Sequence, residues 1–230
     1  MKLSRKKLRK LNPDLLANLP DDFQRGFILG NSEGREDWLI ENDYELWHWV
    51  RCVVNMEIPR ERVCEDHVAP FKAFADAYFC RDNYMIWKAS RGFGGKSAML
   101  ATLCLTEAIS LGASITILGG SGEQSHRVRE YLKGDHDNFP DHYWESPVLR
   151  HWQGELWESA PTKGRTSLSN SGRTTALMAS QTSVRGPHPQ RLRGDEIDEM
   201  DQSIWNAAKG QPMENRGIEE QIVGSSTHQN

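Results

Sequence analysis

Hydrophobic and polar positions divide the chain into two unlike stretches. Residues 1–35 mix short apolar groups with Asn12-Pro13, Leu19-Pro20 and the glycines Gly26, Gly30 and Gly34, which reads as an arm with turns. Over residues 36–55, Trp38, Leu39, Tyr44, Leu46, Trp47, Trp49 and Val50 form an apolar stripe that predicts a core-packed helix, and Pro59 ends that pattern. A second helix is expected to start at Pro70, since proline suits a first turn, and it carries Phe71, Phe74, Ala75, Tyr78 and Phe79 at helical spacing. The rhythm then changes. Tyr84–Ala89 reads as a short buried strand, followed by a glycine-rich turn and a helix over 96–111 that Gly112 stops. Residues 114–118 are the next strand, closed by Gly119-Gly120, and 123–133 another helix. Residues 135–162, rich in His, Trp and Pro, are expected to be irregular. Further strands are expected over 165–170, 174–180, 191–194 and 221–223, with a helix over 202–210. Strands alternating with helices are the signature of a parallel α/β sheet with crossover helices.

Composition narrows the class. The 230 residues are 37% hydrophobic and 26% charged, and eight Trp, seven Phe and five Tyr are enough to build a core, which excludes disorder along the whole chain. The longest apolar-rich stretch, 98–111, is interrupted by Thr102, Thr106, Glu107 and Ser110, short of the roughly 20 apolar residues of a membrane helix. The N-terminus is charged from the start, so no secretory signal and no membrane partner are expected. The net charge of −4 excludes a strongly basic protein but not a nucleic-acid binder, because distribution matters more than the sum. Lys2, Arg5, Lys6, Lys7, Arg9 and Lys10 crowd the first ten positions, either as a solvated tail or as an electrostatic arm for DNA or a partner protein. The four cysteines form no Cys-x-x-Cys pair and suit a reduced protein, and Cys64-x-x-His67 lacks a second half for a zinc site.

The segment Ser90-Arg91-Gly92-Phe93-Gly94-Gly95-Lys96-Ser97 lies between a strand and a long helix. It matches the phosphate-loop pattern Gly-x4-Gly-Lys-[Ser/Thr] except that Ser90 stands for the first glycine. Gly92, Gly94 and Gly95 would let backbone N–H groups curl around an anion, and the helix N-terminus adds partial positive charge. Lys96 would reach the β- and γ-phosphates and Ser97 would offer its hydroxyl to Mg²⁺. Further on, Asp195-Glu196 follows a short strand. A carboxylate there can hold Mg²⁺, and the adjacent Glu can act as base toward water. Asp198-Glu199 repeats the pair, and Arg193-Gly194 makes a poor buried strand, so the choice of pair rests on Asp195-Glu196 being nearer the strand.

These residues resemble the large terminase subunit of tailed bacteriophages, the ATPase of the DNA-packaging motor. Four blocks from about Cys64 to the C-terminus carry the likeness. They are the loop at 90–97 with its arginine, Gly119-Gly120-Ser121-Gly122-Glu123-Gln124-Ser125, Ser183-Val184-Arg185-Gly186-Pro187-His188-Pro189 leading into 192–200, and Gly224-Ser225-Ser226-Thr227. The resemblance implies an ASCE-type P-loop NTPase: a mainly parallel central sheet flanked by helices, with an N-terminal helical arm or cap. The domain plan is a basic arm at 1–35 and an ATPase domain at 36–230, divided into a helical cap at 36–80 and an α/β core at 81–230.

The resemblance also implies roles. Lys96 and Ser97 would bind ATP and Mg²⁺, Asp195 would be the Mg²⁺-associated carboxylate and Glu196 the catalytic base. Arg91 would sense the γ-phosphate, and Arg185 sits where some terminases carry an arginine finger that reaches a neighbouring subunit. Gly224, Ser225, Ser226 and Thr227 would couple hydrolysis to movement, with an ordinary turn as the plainer reading. Phe71 would stack on the adenine, with core packing as the simpler account. Implied partners are double-stranded DNA, a portal protein, a small terminase subunit and further copies in a ring, in the host cytoplasm and at the procapsid portal vertex. No nuclease activity is expected in these residues, and the last strand is expected to leave an open sheet edge. A helicase-like ATPase and a non-hydrolysing nucleotide-binding assembly fragment remain as alternatives.

Overall fold

The computed structural model describes residues 3–35, 38–90, 95–120, 128, 132, 146–159, 161–162, 164–178, 180 and 188–227. The N-terminal third is helical. Three short helices, α1 (Arg5–Lys10), α2 (Pro13–Ala17) and α3 (Asp21–Leu29), occupy the stretch expected to be an arm with turns. Burial of Leu8, Leu11, Leu16, Phe27, Ile28 and Leu29 holds them against the body. The turn signals there have other uses. Asn12 caps α2 by accepting from the Leu15 N–H at 2.7 Å, with Pro13 in the first turn. Gly26 and Gly30 let α3 approach Trp38: a Cβ on Gly26 would lie 2.8 Å from the indole. Next come α4 (Asp43–Trp49), a π-helical turn (Val50–Val54) and α5 (Pro70–Tyr78).

Among the described residues, seven strands form one mixed sheet: β1 (Tyr84–Ala89), β2 (Ser114–Gly119), β3 (Trp157–Ser159), β4 (Arg165–Leu168), β5 (Arg173–Met178), β6 (Arg191–Asp195) and β7 (Gln221–Thr227). Their order is β1-β7-β6-β2-β5-β4-β3. The run from β1 to β5 is parallel, and β4 and β3 are antiparallel additions. The last strand is therefore not an edge. β7 lies between β1 and β6, and among the described residues β1 is the border strand on that side. It also runs four residues past the expected 221–223. Gly224, Ser225, Ser226 and Thr227 are strand residues, paired with β1 as far as Ala89–Thr227.

The helix α6 (Lys96–Thr106), extended by a π-helical turn (Glu107–Leu111), packs on one face of the sheet. The apolar cluster on that face also takes in residues from the N-terminal helices. The hydroxyls that interrupt this buried helix in sequence are satisfied by the preceding turn: Thr102 donates to Ala98 O at 2.8 Å, Thr106 to Thr102 O at 2.8 Å and Ser110 to Thr106 O at 2.7 Å. Residues 147–156, expected to be irregular, are a helix, α7 (Pro147–Leu156). Ser146 accepts from the Leu149 N–H at 3.1 Å and Pro147 opens the first turn, while Val148, Leu149, Trp152 and Leu156 are buried. The other face of the sheet is covered by α8 (Gln202–Lys209), over a smaller cluster of Leu118, Leu192, Met200, Trp205 and Ala208. Of the helix expected over 123–133, only Val128 and Leu132 are described; both are helical and buried. Among the described residues no helix is long and apolar enough to cross a membrane.

Candidate functional site

In a parallel sheet the carboxyl ends of the strands share one edge, and ligands gather there. β1 ends at Ala89, β6 at Asp195 and β7 at Thr227. Gly95, in a left-handed conformation (φ +53°) with open space around it, turns the chain into α6, and Lys96 follows as the first helical residue. Lys96 is 7% exposed. Its ammonium donates back to Ala89 O at 3.1 Å and to Thr227 Oγ1 at 3.0 Å. Thr227 in turn donates to Glu196 Oε2 at 2.5 Å, so one hydroxyl lies between the cation and the carboxylate.

Asp195 is only 2% exposed. It accepts from Ser97 Oγ at 2.8 Å on one oxygen and from Ser225 Oγ at 2.6 Å on the other. Burial pushes its carboxyl above the ordinary range. The two serine hydrogen bonds oppose that, the charge of Glu196 adds to it and Lys96 opposes it. The main chain at Glu196 is left-handed (φ +50°, ψ +55°), which costs energy for a residue with a side chain. Its N–H points to Ser225 Oγ at 3.4 Å. Asp198 and Glu199 are exposed on the following 3₁₀ turn (Ile197–Glu199). The structure thus brings Asp195 and Glu196, and not the second acidic pair, to Lys96 and Ser97.

Two residues that look out of place in a buried strand have physical reasons. The fully buried Arg193 guanidinium donates to both carboxylate oxygens of buried Glu107, one contact at 3.2 Å, and to Gln221 Oε1 at 3.0 Å. Arg191 reaches the same carboxylate at 3.4 Å. Gly194 pairs with Gly224 across β6 and β7, and a Cβ on Gly194 would lie 2.7 Å from Ile197 and 2.8 Å from Trp205. The absent side chains let Ile197 close over the strands just beyond Glu196.

Ser90 is exposed beside the site, while Arg91, Gly92, Gly94 and Arg185 lie outside the described residues, as do 121–125 of the second block. Phe71 is 5% exposed and stacks on Phe74 with ring centroids 6.1 Å apart, so its ring belongs to the core. Ser226 is buried in β7. Sequence reasoning missed Ser225 as the partner of Asp195, and Glu107 as the counter-ion of β6. For Glu107 the signal was available: an acid inside a buried helical stretch requires a buried cation.

The oxygen donors fit a small hard cation. Ser97 and Asp195 are adjacent, and Mg²⁺ commonly takes one or two carboxylates and completes its shell with water and substrate phosphates. Among the described residues no group of three or more His, Cys, Asp or Glu could hold a metal ion alone.

No protein-family profile matches the sequence, and no curated protein does. Among solved structures, the chain is similar to the large terminase from a thermophilic bacteriophage, with a TM-score of 0.41, 11% identity, and 67% of this chain and 38% of that one covered. It is also similar to the bacteriophage Phi-29 viral genome packaging motor assembly, with a TM-score of 0.42, 15% identity, and 67% of this chain and 46% of that one covered. The matched region spans less than half the length of either.

Proposed function

We propose that this chain hydrolyses ATP with Mg²⁺, and that the hydrolysis drives double-stranded DNA into viral procapsids, as a large terminase subunit does. One observation carries the reading: Lys96 and Ser97, which follow a glycine turn, meet Asp195, Glu196 and Thr227 at one end of a parallel sheet. The order of the four sequence blocks supports it. In this reading Lys96 binds the β- and γ-phosphates, and Ser97 and Asp195 hold Mg²⁺, which supplies charge neutralisation on the phosphates when bound. Glu196 accepts the proton of the attacking water. Phosphates that draw Lys96 away remove the donor to Thr227 Oγ1 while its hydroxyl still donates to Glu196, so nucleotide binding alters the one residue that touches both, which gives Thr227 a physical basis for a coupling role. Arg91 and Arg185 stabilise the transferring charge, the first within the subunit and the second across to a neighbour in a ring. The portal protein and the small terminase subunit are the partners, at the procapsid vertex in the host cytoplasm.

The test compares the chain with Lys96→Ala and Glu196→Gln. Lys96→Ala should lower ATP turnover by about 10²–10³-fold and weaken nucleotide binding. Glu196→Gln should lower turnover by about 10²–10⁴-fold while Mg²⁺-dependent nucleotide binding persists. Full turnover in Lys96→Ala would sink the reading.

A further inference from the structure

The basic cluster at the N-terminus does not fray from the body. In α1 the apolar residue is Leu8, and it is buried, as is Leu11 just beyond the helix. Tyr44 Oη donates to Arg5 O at 3.1 Å, and the Arg51 guanidinium donates to Leu11 O. At about 100° per residue, Arg5, Lys6, Lys7, Arg9 and Lys10 spread over an arc of about 200° on the side away from Leu8. All five are exposed, and among the described residues none has an ion-pair partner. A second tier adjoins them: Arg51 and Arg60 lie over the Trp47 ring, 5.1 and 4.1 Å from its centroid. Arg9, Arg51 and Arg60 act together on the buried His48. A helix too short to hold itself in water is thus fixed to the body and presents a rigid cationic surface in an otherwise acidic chain.

We propose that α1, with Arg51 and Arg60 beside it, is a binding surface for the phosphate backbone of duplex DNA. The choice of duplex rests on the motor reading, whereas the site rests on the charges. A membrane surface is disfavoured because Leu8 faces inward and leaves no apolar face to insert. An acidic protein partner is the poorer fit, because the apolar hollow beside α1, lined by Leu3, Leu8, Phe27 and Trp38, lies on the Leu8 side and not on the cationic arc. The length fits a polyanion. Six helical residues span about 9 Å, along which a duplex carries about five phosphate charges. Sequence readout is not expected from long flexible cations on a convex face.

The experiment measures binding of the whole chain to a fluorescent 20-base-pair duplex by anisotropy, from 50 to 200 mM salt. Four contacts predict a slope of log K against log salt near −4, a loss of about 10²-fold across that range. A variant with Lys6, Lys7, Arg9 and Lys10 all changed to Gln should bind at least about tenfold more weakly at 50 mM and lose most of the slope. The milder Arg9→Gln/Lys10→Gln pair should lose about half of it, and decides the matter if the fourfold variant melts early. Unchanged affinity and slope in both variants would overturn the proposal. So would phosphatidylserine vesicles or polyglutamate binding as tightly as the duplex at equal ionic strength. ATP turnover, read in parallel, separates the two readings: the variants should keep basal turnover. A wild-type chain without turnover that still shows the salt-dependent duplex binding leaves this surface standing and the motor reading fallen.

Discussion

At the scale of single residues, the site's chemistry turns on how Asp195 is housed. Its carboxyl is buried and lifted above the ordinary range, so the folded chain keeps this proton at pH values where the unfolded chain, with a pKa near 3.9, has released it. The native state then binds more protons than the unfolded one, and stability from this residue falls as pH rises from about 4 through the folded pKa. Asparagine imitates the protonated acid and can accept from one serine while donating to the other. Asp195→Asn should therefore raise Tm at pH 7.5 by about 2–4 °C, the shift for roughly 1 kcal/mol in a domain of this size. The gap should close as pH approaches 4. A melting series from pH 4 to 8 checks this, and an equal gap at every pH would contradict it. Lys96, Ser97 and the first acidic pair are legible in sequence by residue type and by their place after strands, and the structure brings these residues together. Which pair faces the loop is decided by a feature sequence does not display: the left-handed turn at Glu196, which directs one carboxylate to Thr227 and leaves Asp198 and Glu199 outside.

At the scale of elements, the strand and helix order from β1 through α8, outside residues 147–159, follows from hydrophobic rhythm, and Tyr84–Ala89 has the expected limits although only Trp87 in it is buried. The departures have particular causes. The strand β7 reads short in sequence because its second half is polar, yet Ser225 and Thr227 are bonded to Asp195, Lys96 and Glu196 at the site. The helix α7 is hidden by the His, Trp and Pro content of its surroundings, although Ser146-Pro147 is a helix start. The strand β6 looks weak because its counter-ion sits on another element. Here the two buried guanidiniums, Arg191 and Arg193, share the single carboxylate of Glu107. That inequality gives an ordering. Glu107→Gln strands two buried cations and should cost about 3–5 kcal/mol, lowering Tm by roughly 10 °C. Arg193→Met leaves Glu107 paired with Arg191 and should cost clearly less. Chemical denaturation of both variants measures the difference, and Arg193→Met equal to or worse than Glu107→Gln would refute the shared-charge account.

At the scale of the molecule, the division into arm, cap and core drawn from sequence meets an interior that does not observe it. One apolar cluster runs from Leu8 and Leu16, through Trp49, Val53 and Phe74, to Leu103, Ile117 and Val223. Polar ties cross the same divisions: Trp152 Nε1 donates to Gln24 Oε1 at 2.8 Å between α7 and α3, and Tyr78 Oη lies 2.8 Å from Ser110 Oγ between α5 and the end of α6. A helical layer that merely capped a separate sheet core would keep its own apolar interior and melt on its own. A layer whose side chains complete the sheet's core has none to retain. Unfolding should therefore be a single cooperative transition. Hydrogen exchange at the amides of α4 reports on the helical layer, and at the amides of β2 and β6 on the sheet. The two should give the same midpoint and the same free energy in denaturant. Loss of amide protection in α4 that precedes its loss in β2 would show that the first 80 residues are a separable unit, and the boundary read from sequence would then be the real one.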